Sequence, residues 1–385
     1  MVLYSRREYL EAIRKRYHAA SKRQKGIILD EFCATCSYHR KHAIRLLRPK
    51  RVRTPKRRPG ARAVYRDEAL LLALKRIWLA TDQICGKKLK AALPLWLPWY
   101  ETEFGPLGPQ LQQQVLAASP ATLDRLLQPL KCQHPKARSA TKPGTLLKNQ
   151  IPVKTHNWDV TQPGYFEADT VAHCGNSLAG DFVYSLTFTD ICSGWTENRA
   201  TWGRGAHGVV IQIEDIEINL VFPIRGFDCD NGSEFLNYHL VRYFTDRPQN
   251  PITFTRSRPY HKNDNAHVEQ KNWTTVRQFL GYDRFDRPEL VSLLNDLYKN
   301  EWSQMNNFFS PTLKLKEKQR VNSRYVKKYE APQTPCQRLL ASPDISDHAK
   351  ERLHMMYNSL NPFILRKNIQ AKLKVIFIIL NSPRY

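Results

Sequence analysis

The stretch Phe227-Asp228-Cys229-Asp230-Asn231-Gly232-Ser233-Glu234-Phe235 decides how this chain is read. It closes a short apolar run, Phe222 to Phe227, and sets Asp230 directly before the turn formers Asn231, Gly232 and Ser233. That is how a strand carries a carboxylate to its tip, where it can hold a metal ion. Asn-Gly is also a common hairpin signal, so the stretch alone leaves a surface turn open as a reading.

Two further acids weigh against the plain turn. Upstream, Tyr165, Glu167 and Asp169 alternate with Phe166, Ala168 and Thr170, which predicts a half-buried strand presenting Asp169. Downstream, Glu269 falls one turn inside a helix that Asp264 or Asn265 can cap, backed by Val268, Val276 and Phe279. Asp228, two residues before Asp230, shares its face in a strand and is the alternative ligand. Glu167 reads as structural, and His267 as packed rather than catalytic.

The chain has 385 residues, 42% of them hydrophobic, and a formal charge of +25. Residues 1–66 hold 20 Lys/Arg against 4 Asp/Glu; such a block attracts a polyanion, nucleic acid above all. There is no signal-peptide pattern and no apolar run of membrane-spanning length, so an intracellular protein with no membrane partner is expected. Its eight scattered cysteines then read as reduced thiols. Cys33, Cys36, His39 and His42 follow one another too closely for four ligands to wrap one zinc ion.

Residues 1–50 read as a helix-turn-helix domain. Ile27, Ile28 and Phe32 mark the first helix, Ala34 to Ser37 the turn, and Tyr38 to Leu47 the second helix. Arg40, Lys41 and Arg45 lie on its outer face and are the candidates for the major groove; a solvated basic face is the plainer reading. Residues 51–66, with Arg57 and Arg58, form a basic linker suited to phosphates or a minor groove. Residues 67–130 predict a second helical domain, a further DNA-binding module or a plain core bundle. In it Pro94 and Pro98 end a helix, and Ser119 caps the next, with Pro120 first. A basic linker spans 131–158.

From 159 to 310 the apolar runs shorten and become β-branched and aromatic. Strands are predicted at Phe182 to Thr189, Trp195 to Thr201, Ile224 to Asp228 and Ile252 to Thr255, and helices at Ala206 to Asn219 and Ser233 to Phe244. This is a mixed α/β domain. Residues 311–385 hold a basic segment, Lys314 to Lys328, and an apolar run, Val375 to Leu380, that reads either as a buried strand or as an abnormal end.

Asp169, Asp230 and Glu269 are separated by 61 and 39 residues. Three converging carboxylates beside DNA-binding modules suit phosphoryl transfer assisted by two divalent ions, with Mg²⁺ or Mn²⁺ preferred by hard oxygen ligands. At Phe166 to Gly175, Gly180 to Val183, Thr189 to Glu197, Asp230 to Phe235 and Thr255 to Trp273, the chain resembles bacterial DDE transposases of the insertion-sequence type with a retroviral-integrase-like catalytic core. Leu29 to Phe32 with Tyr38 to Leu47 resembles the helix-turn-helix of the same proteins.

The resemblance implies an α/β RNase H-like catalytic domain, a mixed sheet flanked by helices, preceded by all-α helix-turn-helix domains. It carries the acidic triad onto Asp169, Asp230 and Glu269 and makes Asp190 a non-catalytic acid. It implies Mg²⁺-dependent cleavage at transposon ends and strand transfer into target DNA. The expected partners are double-stranded DNA, as terminal inverted repeats and target, and further copies of the chain in a homo-oligomer; the expected place is the bacterial cytoplasm, at the nucleoid. Arg256, Arg258, Lys262 and Lys271 are the DNA contacts expected near the site. The alternatives are a non-catalytic DNA-binding regulator and a nuclease of the same fold that cuts without joining.

Overall fold

The computed structural model describes residues 3–48, 65–133, 161–203, 205–229, 235, 238–247, 252–256, 266–321 and 324–383. The chain divides into two compact units, Met1–Val64 and Tyr65–Tyr385.

In the first unit, helices α1 (Leu3–Ala19), α2 (Lys22–Cys36) and α3 (Arg40–Leu47) close over Ile13, Ile28, Leu29, Phe32, Cys36, Ala43 and Leu47. Ser21 caps α2 through a reciprocal capping box with Gln24. The turn comes later than Ala34 to Ser37. Helix α2 continues to Cys36 because Cys36 is wholly buried, and Ser37 ends it in the left-handed region at φ 55°. His39 then caps α3 by accepting the Lys41 amide.

The second unit begins with α4 (Glu68–Ala80), α5 (Gly86–Phe104), α6 (Pro109–Ala117) and α7 (Pro120–Gln133). Two expectations are corrected here. Helix α5 runs through Pro94 and Pro98. The two prolines cost about 3 kcal/mol each, whereas Leu89, Leu93, Trp96, Leu97 and Tyr100 are buried from the same helix at about 1.5–3 kcal/mol each, so burial wins. Nor do residues 67–130 form a domain of their own. They share one core with the α/β segment: Trp96 Nε1 donates to the Phe309 carbonyl at 3.0 Å and its ring meets Phe309 and Phe363 edge-on. Gly86 is needed where α5 meets α7, since a Cβ there would stand 2.2 Å from the Pro120 carbonyl.

The sheet is five-stranded, in the order β3-β2-β1-β4-β5. Its strands are β1 (Tyr165–Ala172), β2 (Val183–Asp190), β3 (Thr196–Trp202), β4 (Gly226–Cys229) and β5 (Thr253–Arg256), with α8 (Ala206–Asn219) and α9 (Tyr238–Thr245) between them. Strands β1, β2 and β3 are antiparallel, while β4 pairs parallel to β1 and β5 parallel to β4. This mixed sheet with flanking helices fits an RNase H-like fold. Phe166, Phe188, Phe227, Phe244 and Phe254 stack on one side of it, leaving the alternate positions of β1 to the opposite face.

That opposite face receives a long helical segment. It starts as α10 (Ala266–Lys271), widens into a π turn at Asn272–Arg277 and closes at Gln278–Leu280. Helix α11 (Glu289–Leu297) follows and continues through π turns at Tyr298–Trp302 and Met305–Phe309. Beyond it lie β6 (Leu315–Val321), β7 (Arg324–Tyr329), α12 (Pro335–Ala341), α13 (Asp347–Ser359) and α14 (Pro362–Asn381). The run Val375 to Leu380, expected as a strand or an abnormal end, is the last part of α14. Leu365, Ile369 and Ile376 enter the core at helical spacing, and Lys372 pairs with Asp296 at 2.6 Å and Glu301 at 2.7 Å. No helix among the described residues is long and apolar enough to cross a membrane.

Beneath this layer His173, wholly buried and stacked on Phe285, shares a hydrogen bond with Ser185 at 2.8 Å, and Ser185 another with Tyr298 at 2.8 Å. Burial, and then the charge of Arg277, lowers its pKa from 6.5 to about 3. The unfolded chain therefore binds a proton that the fold refuses, and stability falls as pH drops from 6.5 toward about 3, with a slope approaching about 1.4 kcal/mol per pH unit. Urea unfolding across that window should show this acid limb, and His173→Gln should flatten it; an undiminished limb in the variant would assign it to other groups.

Candidate active site

The parallel register sets Glu167 beside Asp228 and Ala168 beside Cys229, while β5 sets Thr255 beside Asp228. Glu167, Asp228 and Thr255 thus form a polar row across three strands. Glu167 and Asp228 are both 3% exposed, and each has a donor, as buried carboxylates require. The Thr255 hydroxyl donates to Asp228 Oδ1 at 2.7 Å, and the Val268 amide donates to Glu167 Oε2 at 2.9 Å. Asp228, the alternative ligand by sequence, is therefore occupied within the sheet. Glu167 holds the start of α10 against β1.

Asp169 lies two residues beyond Glu167 on the same face, half-buried. Its Oδ1 accepts the Thr170 amide at 2.7 Å and its Oδ2 accepts Asn272 Nδ2 at 2.6 Å. Asn272 is three residues after Glu269, so the two share a helix face, and the bond that ties Asn272 to Asp169 turns that face to the strand. Glu269 is exposed. Asp169 thus lies on β1 and Glu269 on the helix whose Asn272 bonds it, while Asp230 lies outside the described residues. Among the described residues no group of three or more His, Cys, Asp or Glu could hold a metal ion.

The donor chemistry nonetheless fits a hard, hydrated cation. Both carboxylates reach solvent, and Asn272 Oδ1 is buried with no hydrogen-bond partner among the described residues, leaving an acceptor for a donor such as bound water. Asn272 was not singled out from sequence, although its three-residue step from Glu269 was visible there.

Asp190 is fully buried at the end of β2 and accepts the Gly164 amide at 2.8 Å, the Ser193 amide at 2.7 Å and the Ser193 hydroxyl at 2.6 Å. Burial raises its pKa, against which these bonds act. Its place is structural. Lys271, expected to contact DNA, turns inward instead: its Nζ donates to the Gly194 carbonyl at 2.9 Å. Burial, then Arg338 and Lys88, lowers its pKa from 10.5 to about 7.

Of the other basic residues expected at DNA, Arg256 is the last of β5, and Arg57, Arg58, Arg258 and Lys262 lie outside the described residues. In the first unit Lys41 and Arg45 are exposed on α3; Arg45 donates to His42 Nδ1 at 2.9 Å, and Arg40 is paired with Asp30.

No family profile matches the chain. A relative, "Uncharacterized protein y4rM" of Sinorhizobium fredii (strain NBRC 101917 / NGR234), is 38% identical over 337 residues, which is 87% of this chain and 95% of that protein. Among solved structures, the catalytic core domain of BIV integrase matches with TM-score 0.26 and 17% identity over 37% of this chain and 83% of its own. The HTLV-2 integrase catalytic core domain in complex with magnesium matches with TM-score 0.27 and 14% identity over 39% and 90%.

Glu167→Ala should leave the Val268 amide buried without an acceptor, at about 1–3 kcal/mol. The expected result is a lower urea midpoint together with faster amide hydrogen exchange at Val268 and its helical neighbours. Unchanged protection at Val268 would mean that α10 is held by other contacts.

Proposed function

This chain belongs to the family of the Sinorhizobium fredii protein y4rM, and for it we propose the activity of a DNA transposase, cutting duplex DNA at the ends of a mobile element and joining them to target DNA. Asp169, Asp230 and Glu269 are the proposed catalytic carboxylates, and Mg²⁺ or Mn²⁺, two ions per site, the proposed cofactor. The observation that carries this reading is the Asn272 bond to Asp169, which presents the Glu269 face of the helix to the strand bearing Asp169.

The chain's own residues do the positioning. Asn272 and the Thr170 amide fix the rotamer of Asp169 through hydrogen bonds to its Oδ2 and Oδ1. Glu167 pins the first turn of α10 to β1, so that strand and helix cannot slide past each other. When bound, a pair of divalent ions supplies the clamp on attacking and leaving oxygens that in-line phosphoryl transfer needs. No side chain serves as a covalent nucleophile in this scheme.

Residues 1–50 are the proposed helix-turn-helix module for the element's ends, with Arg40, Lys41 and Arg45 at the DNA, followed by Arg57 and Arg58 on the phosphates. Arg256, Arg258 and Lys262 are the proposed contacts near the site, and Lys271 is reassigned to the turn it bonds. Pairing two DNA ends calls for a homo-oligomer in the bacterial cytoplasm.

Asp169→Asn, Asp230→Asn and Glu269→Gln should each lower Mg²⁺-dependent cleavage of duplexes carrying the element's ends by about a hundredfold or more, with duplex binding retained. Cleavage at the parent rate in any of the three would remove that residue from the site.

A further inference from the structure

Lys314 to Lys328, expected only as a basic segment, contributes to an antiparallel ribbon of β6 and β7 with no third strand among the described residues. Every residue of β7 is exposed. A two-stranded ribbon is marginal in water, so one left uncovered is a candidate for a partner.

Its two faces differ. Residues paired in register share a face. One face carries Glu317 with Lys328, Gln319 with Val326, and Val321 with Arg324; Lys328 and Glu317 form an ion pair at 2.8 Å, so charge there is partly balanced. The other carries Lys318 with Lys327 and Arg320 with Tyr325, and by alternation Tyr329 joins Lys327 and Tyr325. No acid occupies those positions. Arg320 and Lys327 give this face net positive charge, which a polyanion complements. Tyrosine hydroxyls and basic side chains are common donors to phosphate oxygens, and the major groove of duplex DNA is wide enough for a two-stranded ribbon.

The root of the ribbon is tied to the candidate site. Lys314 Nζ donates to the Cys192 carbonyl at 2.8 Å, and Arg338 donates to the Ser193 carbonyl at 3.1 Å and to Thr312 Oγ1 and the Thr312 carbonyl, both at 2.8 Å. The same turn receives Lys271, two residues after Glu269.

We propose that the β6–β7 ribbon is a duplex-DNA arm whose Arg320, Tyr325, Lys327 and Tyr329 face lies against the phosphate backbone, rooted where it sets the path of the DNA relative to Glu269. The proposal rests on the DNA-processing reading above and adds the surface that holds the duplex.

Fluorescence anisotropy of a labelled duplex, titrated with the full chain over a range of salt, tests it. Arg320→Ala/Lys327→Ala should weaken binding about tenfold and lower the salt slope by about 2, whereas Arg324→Ala/Lys328→Ala, removing the same charge from the opposite face, should shift affinity by less than about twofold. Equal losses from the two faces, or none from either, would overturn it. So would an equal loss on a single strand of the same sequence, or competition by polyglutamate as effective as by duplex. Circular dichroism melting checks that both variants fold, and a benzophenone side chain replacing Tyr325 should crosslink to the duplex where one replacing Val326 does not. Asp169→Asn should bind like the parent. If that variant cleaves like the parent, the catalytic assignment fails while the outcome for the ribbon stands separately.

Discussion

A single buried carboxylate fixes the start of α10 against the sheet. Glu167 sits in the middle of the sheet, beside Asp228 in register, and takes the Val268 amide from a helix 101 residues further on. A buried acceptor of this kind cannot give up its donor cheaply, so the helix start is held where Glu269 and Asn272 can face β1. The wide turn beginning at Asn272 matters for the same reason. A π turn alters which side chains follow one another along a helix face, and here it starts at the residue that bonds Asp169.

The two sides of the sheet divide the work. Stacked phenylalanines on one side supply apolar burial that does not depend on pH, and the polar row on the other supplies orientation. Because side chains alternate along β1, the Phe166, Ala168 face and the Glu167, Asp169 face cannot be exchanged without a one-residue slip that would invert the whole strand. The same rule made the α/β segment legible from sequence: alternation and β-branched runs located all five strands to within about two residues, and α8 at the bounds expected of it. Asp169 and Glu269 were likewise legible as a strand acid and a helix acid.

What sequence left out is settled by contacts that local pattern does not record. Pro94 and Pro98 announce a helix end by local rules, yet α5 passes through both because the Trp96 and Tyr100 side of that helix is buried against Phe309 and Phe363. Residues 67–130 look self-contained because their leucines are periodic, but Trp96 among them bonds to Phe309, 213 positions away. Val375 to Leu380 reads as a strand by its β-branched composition, and only the spacing of Leu365, Ile369 and Ile376, with Lys372 between acids on and beyond α11, selects helix. Asn272 escaped notice because an amide next to a charged motif has no composition signal; its role exists only in the bond it makes.

The turn at Cys192 to Gly194 joins these parts. Three cationic side chains, Lys271, Lys314 and Arg338, point donors at its successive carbonyls, while Asp190 lies buried beneath it and clasps Ser193 and Gly164. Burial lowers the pKa of Lys271, and the like charges of Arg338 and then Lys88 lower it further. Carbonyl dipoles and nearby acids, Asp190 facing Lys314 and Glu330 facing Arg338, offset part of that like-charge cost. The helix bearing Glu269, the end of β2 and the root of the β6–β7 ribbon are thus all bonded to the same three residues.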